Sequence, residues 1–451
     1  MCKSRVAPRL FVPYIQIFGY KGYFFGGNTM IQIPRGTKDI MPTETAKWQF
    51  IEEKLREISH NFNYKEIRTP IFEHTELFVR AVGDTTDIVT KEMYTFNDKG
   101  NRSMTLRPEG TASAVRSYIE NKLYGDPNQP VKLFYSGPMF RYERQQKGRY
   151  RQFEQYGVEA IGVEDPLIDV EIISLLMNIY QSFGLKDLEL HINSIGDFES
   201  RKQYQKALHD HFEPSIGEFC SDCQARLDKN PMRILDCKTD ADHPLVKSAP
   251  SILDYLNEES IQYFETVKEL LTKIGIDFVV DTTLVRGLDY YTHTAFELMS
   301  KAEGFGAITT LAGGGRYNGL IEILDGPKET GIGFALSIER LLLALEAEGI
   351  ELPVQDSIDF YLVTMGEDAR LEASIILNRL RSKGISADMD YKARGMKAQI
   401  KDANRKNAKY MIVIGESELE KGKILVRNME TRDETEATLQ SFEEEVNLHE
   451  A

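Results

Sequence analysis

Residues 134–159, FYSGPMFRYERQQKGRYRQFEQYGVE, decide how the rest of the chain is read. A β-rich run, Val131-Lys132-Leu133-Phe134-Tyr135, leads in, and a second, Phe153 to Val158, leads out. The loop between them carries Arg141, Arg144, Lys147, Arg149 and Arg151 against one acid, Glu143. Two antiparallel strands joined by a cationic loop suit a triphosphate and a nucleic-acid end, because each phosphate needs fixed donors in a positive field. An isolated run of cations is more often a solvated face. What decides between the two readings is the residue pattern, Arg-x-Glu-Arg followed by Gly-Arg-Tyr-Arg-Gln-Phe.

At 451 residues the chain is too long for one ordinary core and predicts two or three domains. Its 41% apolar and 28% charged residues are those of a globular protein, neither disordered nor membranous. A net charge of −15 argues against a non-specific nucleic-acid coat, yet two basic islands, the hairpin and residues 392–409, suit a specific RNA binder. No run of 18 or more apolar residues exists, so no membrane span is expected. Cys2, Cys220, Cys223 and Cys237 are too few and too clustered for a disulfide framework and are expected to be reduced in a cytosol. Cys220-x2-Cys223 with Cys237 and His243 makes a weak zinc candidate, because its second half is loose; packing without metal is the favoured reading.

Residues 43–62 place Trp48, Ile51, Leu55 and Ile58 on one helical stripe. Residues 67–73 read as a strand interrupted by Pro70, hence an edge or interface strand. Residues 91–96 and 103–108 form a hairpin, and Glu109-Gly110-Thr111 opens the next helix. Another helix starts at Asp169, its acids in the first turn where the dipole favours them. A strand at 188–193 precedes a polar helical insertion at about 196–270. Strands then follow at 276–284, 294–299 and 308–311, and 331–336 leads into a helix at 337–345. Strands at 359–364, 386–388 and 410–415 alternate with helices and predict a small α/β domain.

The hairpin pattern resembles motif 2 of class II aminoacyl-tRNA synthetases, in the form seen in the histidyl family. The run 284–291, LVRGLDYY, resembles a signature of that family, and 311–320, LAGGGRYNGL, resembles its second signature. Asn318 stands where the family usually has aspartate, and Ser337 where it often has glycine. Arg340, in SIERL, matches the motif 3 arginine, and the helix, strand and proline of 43–73 resemble motif 1, a dimer interface in that class. Residues 31–36, IQIPRG, resemble the ordinary start of bacterial members, so 1–29 reads as an extension outside the fold. RGMKAQ, 394–399, falls where the family has its anticodon-binding domain.

The resemblance implies an α+β catalytic domain at 30–348, an antiparallel sheet flanked by helices and carrying the insertion. A linker at 349–356 and an α/β anticodon-binding domain at 357–451 follow, the latter with an acidic tail from Glu430 to Glu450. It implies ATP-dependent ligation of L-histidine to histidine tRNA through a histidyl-adenylate, by a cytoplasmic homodimer. ATP is a substrate accompanied by Mg2+, and no structural metal is expected. Arg141 and Arg286 would stabilise charge at the α-phosphate, where a fixed cation needs no reorganisation. Histidine would meet Glu109, Gly110, Thr111, Arg141, Gln155, Glu159, Arg286, Tyr290 and Tyr291. Of these, Glu159 and Tyr291 face the imidazole, while Glu109, Thr111 and Gln155 hold the ammonium. ATP would meet Arg141, Glu143 and Arg340. The tRNA would meet Arg144, Gln146 and Arg151 at its acceptor end, and Arg394, Lys397 and Lys401 near its anticodon. The rival is a non-ligating regulatory paralogue that binds histidine or a partner enzyme. Such relatives typically lose part of the two signatures and lack the anticodon domain, and both are present here.

Overall fold

A computed structural model describes residues 30–445, apart from 85, 238, 286–289, 304, 306–308 and 355–356. The expectation for 1–29 falls outside the described residues. The chain divides into Met1–Arg35 and a unit from Gly36 onward; the second is described below.

An eight-stranded sheet carries the first two thirds of this unit. Its order is Lys65–Glu66, Val131–Phe140, Gln152–Ile161, Gly331–Ser337, Thr310–Arg316, Thr292–Ser300, Leu188–Ser194, Val279–Val280. Neighbours pair antiparallel except at the two edges, where Lys65–Glu66 and Val279–Val280 pair parallel. Side chains alternate between the faces of such a sheet. Along Gln152–Ile161, Tyr156, Val158 and Ala160 enter a core shared with Phe134, Phe334 and Leu336. The helices Pro42–Asn61, Pro166–Ser182 and Ile338–Ala347 supply the other side of that core. The stripe Trp48, Ile51, Leu55 and Ile58 is buried as its spacing predicts, each side chain contributing about 1.5–3 kcal/mol. Gln155, Gly157 and Glu159 fall on the opposite face, where Gln155 and Glu159 open onto a cavity and the Tyr135 ring covers Gly157.

Several expectations are corrected by the pairing. The run 67–73 is not one strand. Its strand part begins after Pro70: Phe72–His74 is an edge strand, as expected, of a three-stranded sheet with Ser103–Leu106 and Tyr94–Asn97, while Lys65–Glu66 just before the run edges the large sheet. Lys91 and Glu92 belong to a helical turn, Ile88–Glu92, rather than to a strand. Only Val279–Val280 of 276–284 is strand. The strand expected at 308–311 is Thr310–Arg316, which carries the glycine run into mid-sheet. Helix Pro166–Ser182 starts earlier than expected, capped by Asp165; Asp169 does lie in its first turn, but fully buried and paired with Arg316. Helix Glu258–Lys273 packs Phe264, Val267 and Leu271 into the main core, while residues 198–255 form a group of helices, mostly short, around a second core.

Beyond 357 lies a five-stranded sheet in the order Ala387–Met389, Phe360–Thr364, Tyr410–Ile414, Lys423–Asn428, Glu434–Thr438. The first three strands are parallel, joined through helices Glu367–Ser382 and Met396–Arg405, and the last two pair antiparallel. The acidic tail is therefore partly structural: Glu434–Thr438 is an edge strand, and Phe442 is fully buried beside Phe360. The basic island 392–409 is not a single element: helix Met396–Arg405 takes up its middle.

Candidate active site

Glu159 sits on the open face of the large sheet, and cross-strand register sets Gly333 and then Gly315 beside it. The glycines matter because a Cβ on Gly333 would stand 2.0 Å from Glu159 Oε2 and 2.3 Å from the Val158 carbonyl oxygen. On the other flank the Tyr135 ring lies over Gly157 and Gly110, where added Cβ atoms would come within 2.3 and 2.1 Å of it. Three hydroxyls donate to Glu159: Thr111 at 2.7 Å, Tyr317 at 2.7 Å and Tyr135 at 3.2 Å. Burial pushes the Glu159 carboxyl up to about 8, with the Tyr317, Thr111 and Tyr135 donors opposing the rise. At neutral pH it is largely protonated, and a cationic ligand beside it would draw the proton off.

Glu109 opens helix Thr111–Glu120 and accepts from the backbone N–H of Thr111 and Ala112, both at 2.8 Å. Its burial raises its pKa, and those two donors work against the rise. The Gly110 N–H donates to Gln155 Oε1 at 3.1 Å. The Tyr290 and Tyr291 rings lie 4.7 Å apart between centroids, tilted by 50°, and Tyr290 meets Tyr317 edge-on at 5.9 Å. Arg201, from helix Phe198–Phe212, donates to the Tyr291 carbonyl at 2.8 Å.

Arg141 lies one residue beyond its strand rather than in it, although its N–H continues the ladder to the Arg151 carbonyl at 3.0 Å. Its Nε donates to the Pro108 carbonyl at 2.8 Å, and its guanidinium stands 3.9 Å from Glu143. Arg149 reaches the same carboxylate at 3.3 Å. Arg340 donates to the Thr310 carbonyl at 2.7 Å. Burial lowers the Arg340 pKa, and Arg149 and Arg141 lower it further against Glu143. Arg141, Arg149 and Arg340 thus gather near Glu143, a cluster of fixed cationic donors of the kind that holds a polyphosphate. Glu109, Thr111, Gln155, Glu159, Tyr290, Tyr291 and Tyr317 line one cavity of about 530 Å³ together with Arg141, Glu143, Arg149 and Arg340, with Gly313 and Gly333 among its walls.

Most of the expected site residues thus converge. Arg286 lies outside the described residues. Arg144 and Gln146 are exposed on the loop, while Arg151 is half-buried with its guanidinium 3.6 Å from the centroid of Tyr142. Arg394 is tied to Asp390 and Asp402, whereas Lys397 and Lys401 are exposed. His243 is not part of the cysteine cluster: its ring packs on Phe219 at 4.1 Å and its Nδ1 accepts from the Leu245 N–H. Asp240 takes that corner, with donor atoms of Cys220, Cys223, Cys237 and Asp240 all within 4.8 Å of one another.

Sequence reasoning passed over Tyr135, Arg149, Tyr317 and Asp236, all in or against the cavity. Tyr317 had a signal, being part of the second signature. Its neighbour Arg316 explains that run: fully buried, it pairs with Asp169 at 2.6 Å and donates to Tyr263 and to the carbonyls of Val163 and Asp165. Thr294 and Tyr263 donate to Asp169, so the pair is satisfied on both sides and fixes Tyr317 over Glu159. Asn318 donates to Glu164 at 2.6 Å, a place where an aspartate would meet a like charge.

A family model described as histidyl-tRNA synthetase matches residues 36–341, and one described as an anticodon binding domain matches 359–448. A histidine–tRNA ligase of Anoxybacillus flavithermus is 65% identical over 411 residues, covering 91% of this chain and 97% of that protein. Another, of Staphylococcus carnosus, is 66% identical over 403 residues, covering 89% and 94%. The apo crystal structure of S. aureus histidyl-tRNA synthetase superposes with a TM-score of 0.80 at 57% identity, covering 92% of this chain and 99% of that one. With this likeness along nearly its whole length, the chain belongs to the histidyl-tRNA synthetase family.

Proposed function

We propose that the chain ligates L-histidine to histidine tRNA in two steps. The histidine carboxylate attacks the α-phosphorus of ATP, giving histidyl-adenylate and pyrophosphate. The terminal ribose hydroxyl of the tRNA then takes the acyl group and AMP leaves. One observation carries this: a buried carboxyl ringed by three hydroxyls shares a single cavity with an arginine cluster. Glu159 and Tyr291 take the imidazole, and Glu109, Thr111 and Gln155 take the ammonium. A site of this kind rejects analogues that leave its buried polar groups unpaired. Arg141, Arg340 and, from the sequence signature, Arg286 neutralise charge building at phosphorus. Glu143 and Glu297 line the same cavity and fit a Mg2+ ion brought by the nucleotide. The family match and the ligase names of the relatives favour this reading over the regulatory paralogue.

The division into 30–348, 349–356 and 357–451 is part of the proposal, supported by the two sheets and the two family models. So is a homodimer: Ile71, Phe72 and Phe96 are exposed apolar groups by the three-stranded sheet, where motif 1 lies. Among the described residues no helix is long and apolar enough to cross a membrane, which fits a cytoplasmic enzyme. Amino-acid-dependent pyrophosphate exchange, run across the standard amino acids, tests the function. Exchange with histidine alone is expected; exchange driven by another amino acid, or by none, contradicts it.

A further inference from the structure

The insertion carries a cluster that ligation does not use. We propose that Cys220, Cys223, Cys237 and Asp240 form a closed, four-coordinate zinc(II) site that pins the insertion against the active-site wall. The donor atoms all lie within 4.8 Å of one another. Cys220 Sγ and Cys237 Sγ are 3.7 Å apart, and Cys237 Sγ lies 3.5 Å from Asp240 Oδ2. Tetrahedral zinc, with Zn–S about 2.3 Å and Zn–O about 2.0–2.2 Å, has edges of about 3.8 Å between sulfurs and about 3.5–3.6 Å from sulfur to oxygen. The two observed edges match. The cysteines are free, not disulfide-bonded.

Local structure prepares each corner. Cys220 precedes helix Ser221–Arg226 and Cys223 sits in its first turn, the knuckle geometry of a C-x2-C pair. The other half comes from the turn after Pro231–Ile234. The Cys220 N–H donates to Asp240 Oδ2 at 3.1 Å, holding that carboxylate inward as outer contacts do around metal ligands. Three thiolates and a carboxylate select zinc over the hard cations Mg2+ and Ca2+. All four corners come from protein, which marks a structural rather than a catalytic site.

The fold has a use for such a link. Helices Glu213–Glu218, Ser221–Arg226, Pro231–Ile234, Pro244–Lys247 and Ile252–Tyr255 are too short to hold by their own hydrogen bonds. Asp236, next to Cys237, lines the active-site cavity, and Cys223 and Cys237 share a core with Tyr290 and Tyr291. The metal would therefore brace one wall of the site without touching substrate. The proposal stands independently of the amino-acid specificity.

The test begins with the full chain, purified reduced and without chelator or nickel affinity resin, and analysed for metal. One zinc per chain is expected, released by a thiol-modifying mercurial. Replacement by cobalt(II) should give thiolate charge-transfer bands in the near ultraviolet and tetrahedral bands in the visible. Cys223→Ser should lose the metal, and Asp240→Ala should lose zinc or shift the visible cobalt bands, while Cys2→Ser keeps both. A strong chelator should lower the Tm of the parent chain and leave that of Cys223→Ser unchanged. If Cys223→Ser does not fold, Asp240→Ala and the cobalt spectrum of the parent carry the test. Absence of zinc together with no cobalt bands on reconstitution of the reduced chain overturns the proposal, as does full zinc retention in both variants.

Discussion

At the scale of single residues, Glu159 is the group on which most of the site depends. Its carboxyl titrates near 8 because burial outweighs its three hydroxyl donors. The folded chain therefore holds a proton that the unfolded chain releases near the ordinary carboxylate value of about 4.5. Folded binds more protons than unfolded in that window, so this group costs stability as pH rises from about 5 to about 8. Urea titrations of the parent and Glu159→Gln should show the parent losing stability relative to the variant across that range; parallel curves would contradict the assignment. In turnover, Glu159→Gln removes the anion that a bound cationic imidazole requires. The histidine KM should rise by about 10–100-fold, the scale of losing a charged hydrogen-bond partner, with little change for ATP. Arg286→His should instead cut adenylate formation by about a hundred-fold or more while weakening histidine binding much less, because a preorganised cation acts on charge that appears only in the transition state. Equal losses in binding and rate would show ground-state binding.

At the scale of elements, the glycines and the buried ion pair decide where side chains go. Gly333→Ala places a methyl group on Glu159 and on backbone that cannot retreat, so histidine-dependent exchange should fall below a tenth of the parent's. Asp169→Ala leaves Arg316 charged and buried without its partner, and should destabilise by about 3–5 kcal/mol in denaturant titrations. The C-terminal helix needs a revised expectation. Arg394 is engaged by Asp390 and Asp402, and Lys406 by Asp388 and Asp402, so these cations are partly neutralised within the domain. Lys397 and Lys401 are exposed and, among the described residues, have no carboxylate within ion-pair distance. Lys397→Glu with Lys401→Glu should raise the tRNA KM and flatten its salt dependence by up to about 0.9 per lost phosphate contact, leaving tRNA-free exchange intact. The hairpin, the helix stripes and the motif residues were legible because each is a local pattern. The Tyr317–Glu159 bond spans 158 residues and Arg316–Asp169 joins a strand to a helix, so both depend on register that periodicity does not carry. Pro70 signalled an edge strand correctly, but a proline says nothing about which sheet Phe72–His74 joins.

At the scale of the whole molecule, an acidic chain of net charge −15 concentrates cations in the hairpin loop and on part of the C-terminal domain. Such a distribution disfavours indiscriminate RNA binding while leaving two positive contact regions for one ligand. Composition alone pointed to two or three domains; the described residues carry three sheets and more than one hydrophobic core. It said nothing of the second core that the insertion builds around Tyr290 and Tyr291, since short polar helices carry little hydrophobic pattern. The central claim joins both halves: chemistry at Glu159 and Arg141 is completed on a tRNA that the C-terminal domain helps to hold. The most direct measurement is transfer of labelled histidine from preformed enzyme-bound adenylate to histidine tRNA in a single turnover. Acid-precipitable label should appear on histidine tRNA and not on a non-cognate tRNA, with AMP released in equal amount; adenylate that forms but never transfers, or label on both tRNAs alike, would contradict the account.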